Sequence, residues 1–80
     1  MRAKVLKLDK KLFDGKATKV VIPAIDGEMC ILQNHISIIT PLKKGHIKIF
    51  KPDSERPTII ETDQGFCSFS DNKAVLILNN

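Results

Sequence analysis

Along most of this chain apolar and polar residues alternate, with a period of two that breaks at short clusters of Gly, Pro, Asp and Asn. Such a period places successive side chains on opposite faces of an extended strand. Lys4 to Leu8 reads as a first strand, followed by a polar turn at Asp9-Lys10-Lys11. Leu12-Phe13 is a short strand, and Asp14-Gly15 marks a turn or bulge after it. Ala17 to Ile22 is a clearer strand, with Val20 and Ile22 on one face. Pro23 ends it or marks an edge, because proline donates no ladder hydrogen bond. In Glu28 to Leu32, Met29 and Ile31 point one way and Glu28, Cys30 and Leu32 the other. Ile36 to Thr40 repeats the pattern and stops at Pro41.

The second half is more regular. In His46 to Phe50, Ile47 and Ile49 face inward. Lys51 to Pro57 is a loop, and Thr58 to Thr62 is a strand. A turn at Asp63-Gln64-Gly65 leads to a strand over Phe66 to Ser70. Asp71-Asn72 makes a tight hairpin turn into a last strand, Ala74 to Leu78. Helical periodicity is absent throughout. The pattern predicts an all-β chain, an antiparallel β-sandwich or flattened barrel of about eight to ten short strands. The chain stops soon after its last strand, so residues 1–80 are expected to be one domain.

Composition adjusts this picture in three places. The apolar residues are mostly Ile, Val and Leu, with four Phe and no Trp or Tyr, which favours strands and disfavours base stacking on aromatics. No apolar run approaches the ~20 residues that span a bilayer, and the N-terminus lacks the apolar stretch of a signal peptide. Net charge is +4, but the lysines are spread along the chain, which suits a solvated surface that resists edge pairing better than a phosphate-binding patch. Cys30 and Cys67 each lie in an apolar strand and are expected to be reduced and buried.

Candidate chemistry is concentrated in Ala24 to Gly45. A turn at Ile25-Asp26-Gly27 feeds one acid, Glu28; a polar corner, Gln33-Asn34-His35, separates two apolar runs; and a basic turn, Lys43-Lys44-Gly45, closes the segment. Met29, Ile31, Ile36 and Ile38 read as core. The carboxylates fall mostly in or beside turns, with no pair spaced to share a catalytic site, and the Cys and His spacings do not match a zinc knuckle. Neither an enzyme activity nor a cofactor or metal site is therefore expected. A small basic β-barrel that binds nucleic acid is the alternative reading, although Arg2 and Arg56 are the only arginines.

The ordered motifs resemble a known family. Phe13-Asp14-Gly15, Gly27-Glu28-Met29-Cys30-Ile31-Leu32-Gln33-Asn34-His35, Lys43-Lys44-Gly45 and Gln64-Gly65-Phe66 occur in the order and at the gaps of the N-terminal β-sandwich domain of the F-type ATP synthase epsilon subunit, called delta in mitochondria. Cys30 stands where that family has the second glycine of its G-E-x-G motif. Gln33-Asn34 replaces a Pro-Gly pair, Gln64 replaces one of two glycines, and Ser37 stands at a frequent proline. Asn34 is suited to its place because Asn enters the left-handed conformation at modest cost.

The resemblance implies a non-catalytic structural element of the rotor's central stalk that links the gamma subunit to the membrane c-ring. It places Glu28 at the c-ring contact and Asn34, His35 and Thr40 at the gamma contact. It further implies a peripheral position on the cytoplasmic face of the bacterial inner membrane, or the matrix side in mitochondria. The family's C-terminal helical hairpin, which inhibits ATP hydrolysis and in some members binds ATP, is not expected here.

Overall fold

The computed structural model describes residues 1–8 and 10–79. Among them are nine strands: β1 (Arg2–Lys7), β2 (Lys10–Lys16), β3 (Lys19–Ala24), β4 (Gly27–Leu32), β5 (Ile38–Leu42), β6 (Gly45–Phe50), β7 (Thr58–Thr62), β8 (Gly65–Ser70) and β9 (Lys73–Leu78). They form one curled sheet in the order β2-β1-β9-β8-β5-β3-β6-β7, with β4 on the remaining side of β3. Between β3 and β5 the ladder narrows to a single pair, Ala24↔Leu42. At that narrow join the sheet folds over on itself, so β2-β1-β9-β8-β5 and β4-β3-β6-β7 act as two layers around one core.

The period-two pattern explains which side chains fill it. Val20 and Ile22 of β3, Ile31 of β4, and Ile47 and Ile49 of β6 are buried from one layer. Ala3, Val5, Cys67, Phe69, Ala74, Leu76 and Leu78 meet them from the other. Met29 and Ile38 are half-buried against this core. The expected antiparallel pairing holds for every ladder but one: β1 and β9 run parallel, from Arg2↔Lys73 to Lys7↔Leu78.

Four local expectations are corrected. Pro23 and Pro41 lie inside strands, paired with Glu28 and Phe66 respectively. Pro23 stands where β3 leaves β6, after Val21↔Lys48, and before it meets β5 at Ala24↔Leu42. In that gap no ladder needs the donor proline lacks. Its carbonyl accepts from the Lys43 amide at 2.9 Å, and the Pro41 carbonyl accepts from the Ile25 amide at 3.1 Å. In an extended residue N and C=O point to the same side, so the Pro41 nitrogen faces away from its β8 partner. Asp14-Gly15 is not a turn: β2 runs through both, and Gly15 pairs with Ala3. The bulge is at Leu12, the residue skipped between Val5↔Phe13 and Leu6↔Lys11. Lys10 and Lys11 belong to β2 rather than to a turn, and Asp9 lies outside the described residues.

Two side chains also depart from the expected core. Ile36 precedes β5 and is 76 % exposed. Cys30 is exposed, because it shares the outward face of β4 with Glu28 and Leu32 while Met29 and Ile31 turn inward. The hairpin at Asp71-Asn72 forms as expected, with φ of 52° and 57°. Both values are positive, as a type I′ turn requires.

Candidate functional site

β4 carries a candidate contact at each end. At its start, the two residues Ile25 and Asp26 turn the chain from β3 into β4, and Gly27 takes a φ of 132° that side-chain-bearing residues rarely adopt. Glu28 follows, opposite Pro23. Its side chain is exposed and enters no ion pair among the described residues. On the other side of Pro23 lies the basic turn, through the Lys43 amide bond. One end of the molecule therefore presents an acid on a rigid ladder position, with exposed Lys43 and Lys44 nearby.

At the other end, β4 leaves Leu32 for the polar corner. The His35 amide donates to the Leu32 carbonyl at 3.1 Å, closing a turn. Asn34 sits inside that turn with φ 66°, the left-handed conformation expected of it. Its amide donates to Asn72 Oδ1 at 2.6 Å, and Asn72 Nδ2 donates to Asn34 Oδ1 at 3.0 Å. The His35 ring meets Phe69 edge to face, centroids 6.0 Å apart at 89°. Its Nδ1 lies 2.7 Å from the Ile36 carbonyl. A carbonyl only accepts, so Nδ1 carries the proton of this bond.

Thr40 belongs to neither end. It lies within β5 opposite Cys67, half-buried on the side of Ile38 and Leu42, with Oγ1 donating to the Pro41 carbonyl at 3.2 Å. The structure thus brings Asn34 and His35 together and keeps Glu28 apart. Strand length sets that separation at roughly 15–20 Å, using ~3.3 Å per residue. Sequence reasoning missed Asn72 and Phe69, the two residues that hold the corner. The turn signal at Asp71-Asn72 was visible, but nothing local links it to a corner 38 residues away.

The charged residues elsewhere serve the fold. Asp14 pairs with Arg2 across the β1–β2 hairpin at 2.9 Å and with Lys11 of its own strand at 3.3 Å. Desolvation raises its pKa, but the hydrogen bonds and charges of Lys11 and Arg2 outweigh it and hold the carboxyl below its usual 3.8. His46 faces Glu61 across β6 and β7 at 3.8 Å. Cys67 is enclosed in the core, and desolvation pushes its thiol from the ordinary 9.0 up to about 11. It is thereby removed from ready nucleophilic chemistry.

A family model described as "ATP synthase, Delta/Epsilon chain, beta-sandwich domain" matches residues 1–80. The chain belongs to that family. The ATP synthase epsilon chain of Pelagibacter ubique is 43 % identical over 63 residues, covering 79 % of this chain and 47 % of that relative. The epsilon chain of Chlorobium limicola is 32 % identical over 79 residues, covering 92 % of this chain and 89 % of the relative. The chain spans about half the length of the Pelagibacter relative and nearly all of the Chlorobium one. In fold it is similar to a chain of the Euglena gracilis mitochondrial ATP synthase, "OSCP/F1/c-ring in rotational state 1", with a TM-score of 0.88 at 15 % identity, covering 98 % of this chain and 49 % of that one. The resemblance carried by the ordered motifs is borne out.

The delta/epsilon sandwich also carries an apolar row on the outer face of one layer. Pro41, Phe66, Ile77 and Leu6 are neighbours across β5, β8, β9 and β1. Ile39 is 78 % exposed, and Phe66 and Ile77 are about half exposed. The signal for it was present in the last strand, where Ala74 to Leu78 has no polar residue on either face.

Proposed function

We propose that this chain is a non-catalytic rotor element of the ATP synthase central stalk, holding the gamma subunit to the c-ring. The observation that carries this reading is the family match over residues 1–80. Two features support it. A doubled sheet is stiff, and its exposed apolar row, with Ile39, Phe66 and Ile77, is of the kind that marks a covered surface. Its polar contacts are set at two separate ends of β4: Glu28 would meet the ring, and Asn34 and His35, with Thr40 on β5, would meet gamma. The protein would act peripherally on the cytoplasmic face of a bacterial inner membrane, or on the matrix side in a mitochondrion. Among the described residues no helix is long and apolar enough to cross a membrane. The nucleic-acid alternative draws no support from the comparisons, which name ATP synthase chains.

The test is co-purification with the gamma subunit of the same organism, followed by sizing. A one-to-one complex is expected; a folded chain that forms none removes the proposed role. Glu28→Lys then separates the two contacts. An exposed strand substitution of this kind changes stability by only about 0.5 kcal/mol or less. The variant should keep the gamma complex and lose engagement with the ring in a reconstituted synthase. Unchanged coupling would remove Glu28 from the ring contact.

A further inference from the structure

We infer that Asn72, at the tip of the β8–β9 hairpin, is the positioning residue that orients the Asn34-His35 corner for its partner. The inference rests on the reading of that corner as the gamma contact. Residues 33–37 connect β4 to β5 outside any ladder, and among the described residues the backbone bond across the turn is His35 to Leu32. Apart from a bond from the Met1 amino group to Gln33 Oε1 at 3.3 Å, the described contacts that tie the corner to the rest of the fold come from one hairpin. Asn72 bonds Asn34 at two points, and Phe69 of β8 receives the His35 ring.

The two bonds fix more than position. The Asn34 amide is a donor, so the atom of Asn72 facing it must be the oxygen. Asn72 then turns its NH₂ toward Asn34, and the atom receiving it must be the Asn34 oxygen. Both carboxamides are locked in one sense. Neither bond uses the Asn34 NH₂, which remains a donor, and on the neutral form of the neighbouring His35 ring Nε2 is an acceptor, because Nδ1 donates to Ile36. The corner therefore offers a donor beside an acceptor. That pairing matches a peptide group or a carboxamide side chain on the partner, rather than a carboxylate, which only accepts. Asn72 sets this polarity without touching the partner.

Asn72→Gly tests it cleanly. Asp-Gly is among the preferred type I′ turns, so the hairpin is retained while the side chain is removed. In the full chain, the thermal midpoint should stay within a few degrees. Exchange of the Asn34 amide should accelerate roughly five- to tenfold, the scale of one lost hydrogen bond, and affinity for gamma should fall by a similar factor. Asn72→Asp keeps the acceptor for the Asn34 amide but lacks the NH₂; it should restore slow exchange and recover affinity only in part. Unchanged exchange in Asn72→Gly overturns the positioning role and leaves the rotor reading standing. Faster exchange, with gamma affinity undiminished in both Asn72→Gly and His35→Ala, overturns the corner as the gamma contact and this inference with it. The presence of the one-to-one complex decides the rotor reading separately.

Discussion

At its Glu28 end β4 is fixed by a ladder and a glycine turn; at its Asn34 end the chain is fixed by two side-chain bonds to a hairpin distant in sequence. The difference separates two ways of presenting a polar group. Among the described residues the Glu28 side chain has no internal bond to lose when a partner arrives, and its backbone is held whether or not its side chain is engaged. Asn34 is already half-satisfied by Asn72, so a partner meets a group whose orientation is set beforehand and whose free valence is limited. The first arrangement suits a charge contact that tolerates movement. The second suits a docked, directional contact with less conformational entropy left to lose on binding.

The strongest way to break the comparison is to remove what the two ends share. Ile31 lies between them and is fully buried. Ile31→Ala should destabilise the chain by ~2–5 kcal/mol, and both ends should lose protection from amide exchange together. Retention of order at one end in that variant would show that β4 is not a single unit. Gly27→Ala should act more selectively. The added methyl meets no neighbouring atom, but the backbone is held at φ 132°. Strain of ~1–3 kcal/mol is expected, confined to the Glu28 end, so gamma affinity should hold while ring engagement suffers. Equal losses at both contacts would contradict the separation.

The smallest effect concerns the two thiols. Cys30 faces solvent midway along β4, and Cys67 is buried opposite Thr40. At pH 8 a thiol with a pKa near 11 is only about one part in a thousand thiolate, so a thiol reagent should modify Cys30 at least about a hundredfold faster than Cys67. A label on Cys30 then reports on the strand from a point between its ends. Because the folded pKa of Cys67 lies above the unfolded 9.0, the folded chain retains its proton where the unfolded chain releases it. Stability is therefore whole below pH 9 and falls as pH rises from 9 toward 11. Urea midpoints across that range should decline less in Cys67→Ala than in the parent chain.

The strands and their inward faces were largely legible in the residues. Alternation assigns Val20, Ile22, Ile47 and Ile49 to the core, Asp71-Asn72 reads as a tight hairpin turn and Asn34 as suited to the left-handed conformation, and the structure has them so. What failed depended on topology. A proline ends a strand only where its nitrogen faces a neighbour that needs it, and the gap beside Pro23 is made by residues far along the chain. Cys30 was misplaced because in an apolar run the two faces look alike by composition, although their parity was read correctly. Glu28 was legible as a candidate because it is a lone acid after a glycine turn. The support beneath Asn34 and His35 was not, since the bond to Asn72 spans 38 residues and leaves no periodic trace.

The parallel pairing of β1 with β9 gives the domain a mechanical character. Its first and last strands lie side by side, joined by six register pairs. Tension applied between the start of β1 and the end of β9 would pull the two strands along their axes in opposite senses. Their hydrogen bonds would then be loaded in shear, all at once, instead of opening one after another as in a peeled hairpin. A domain built this way resists extension through its ends.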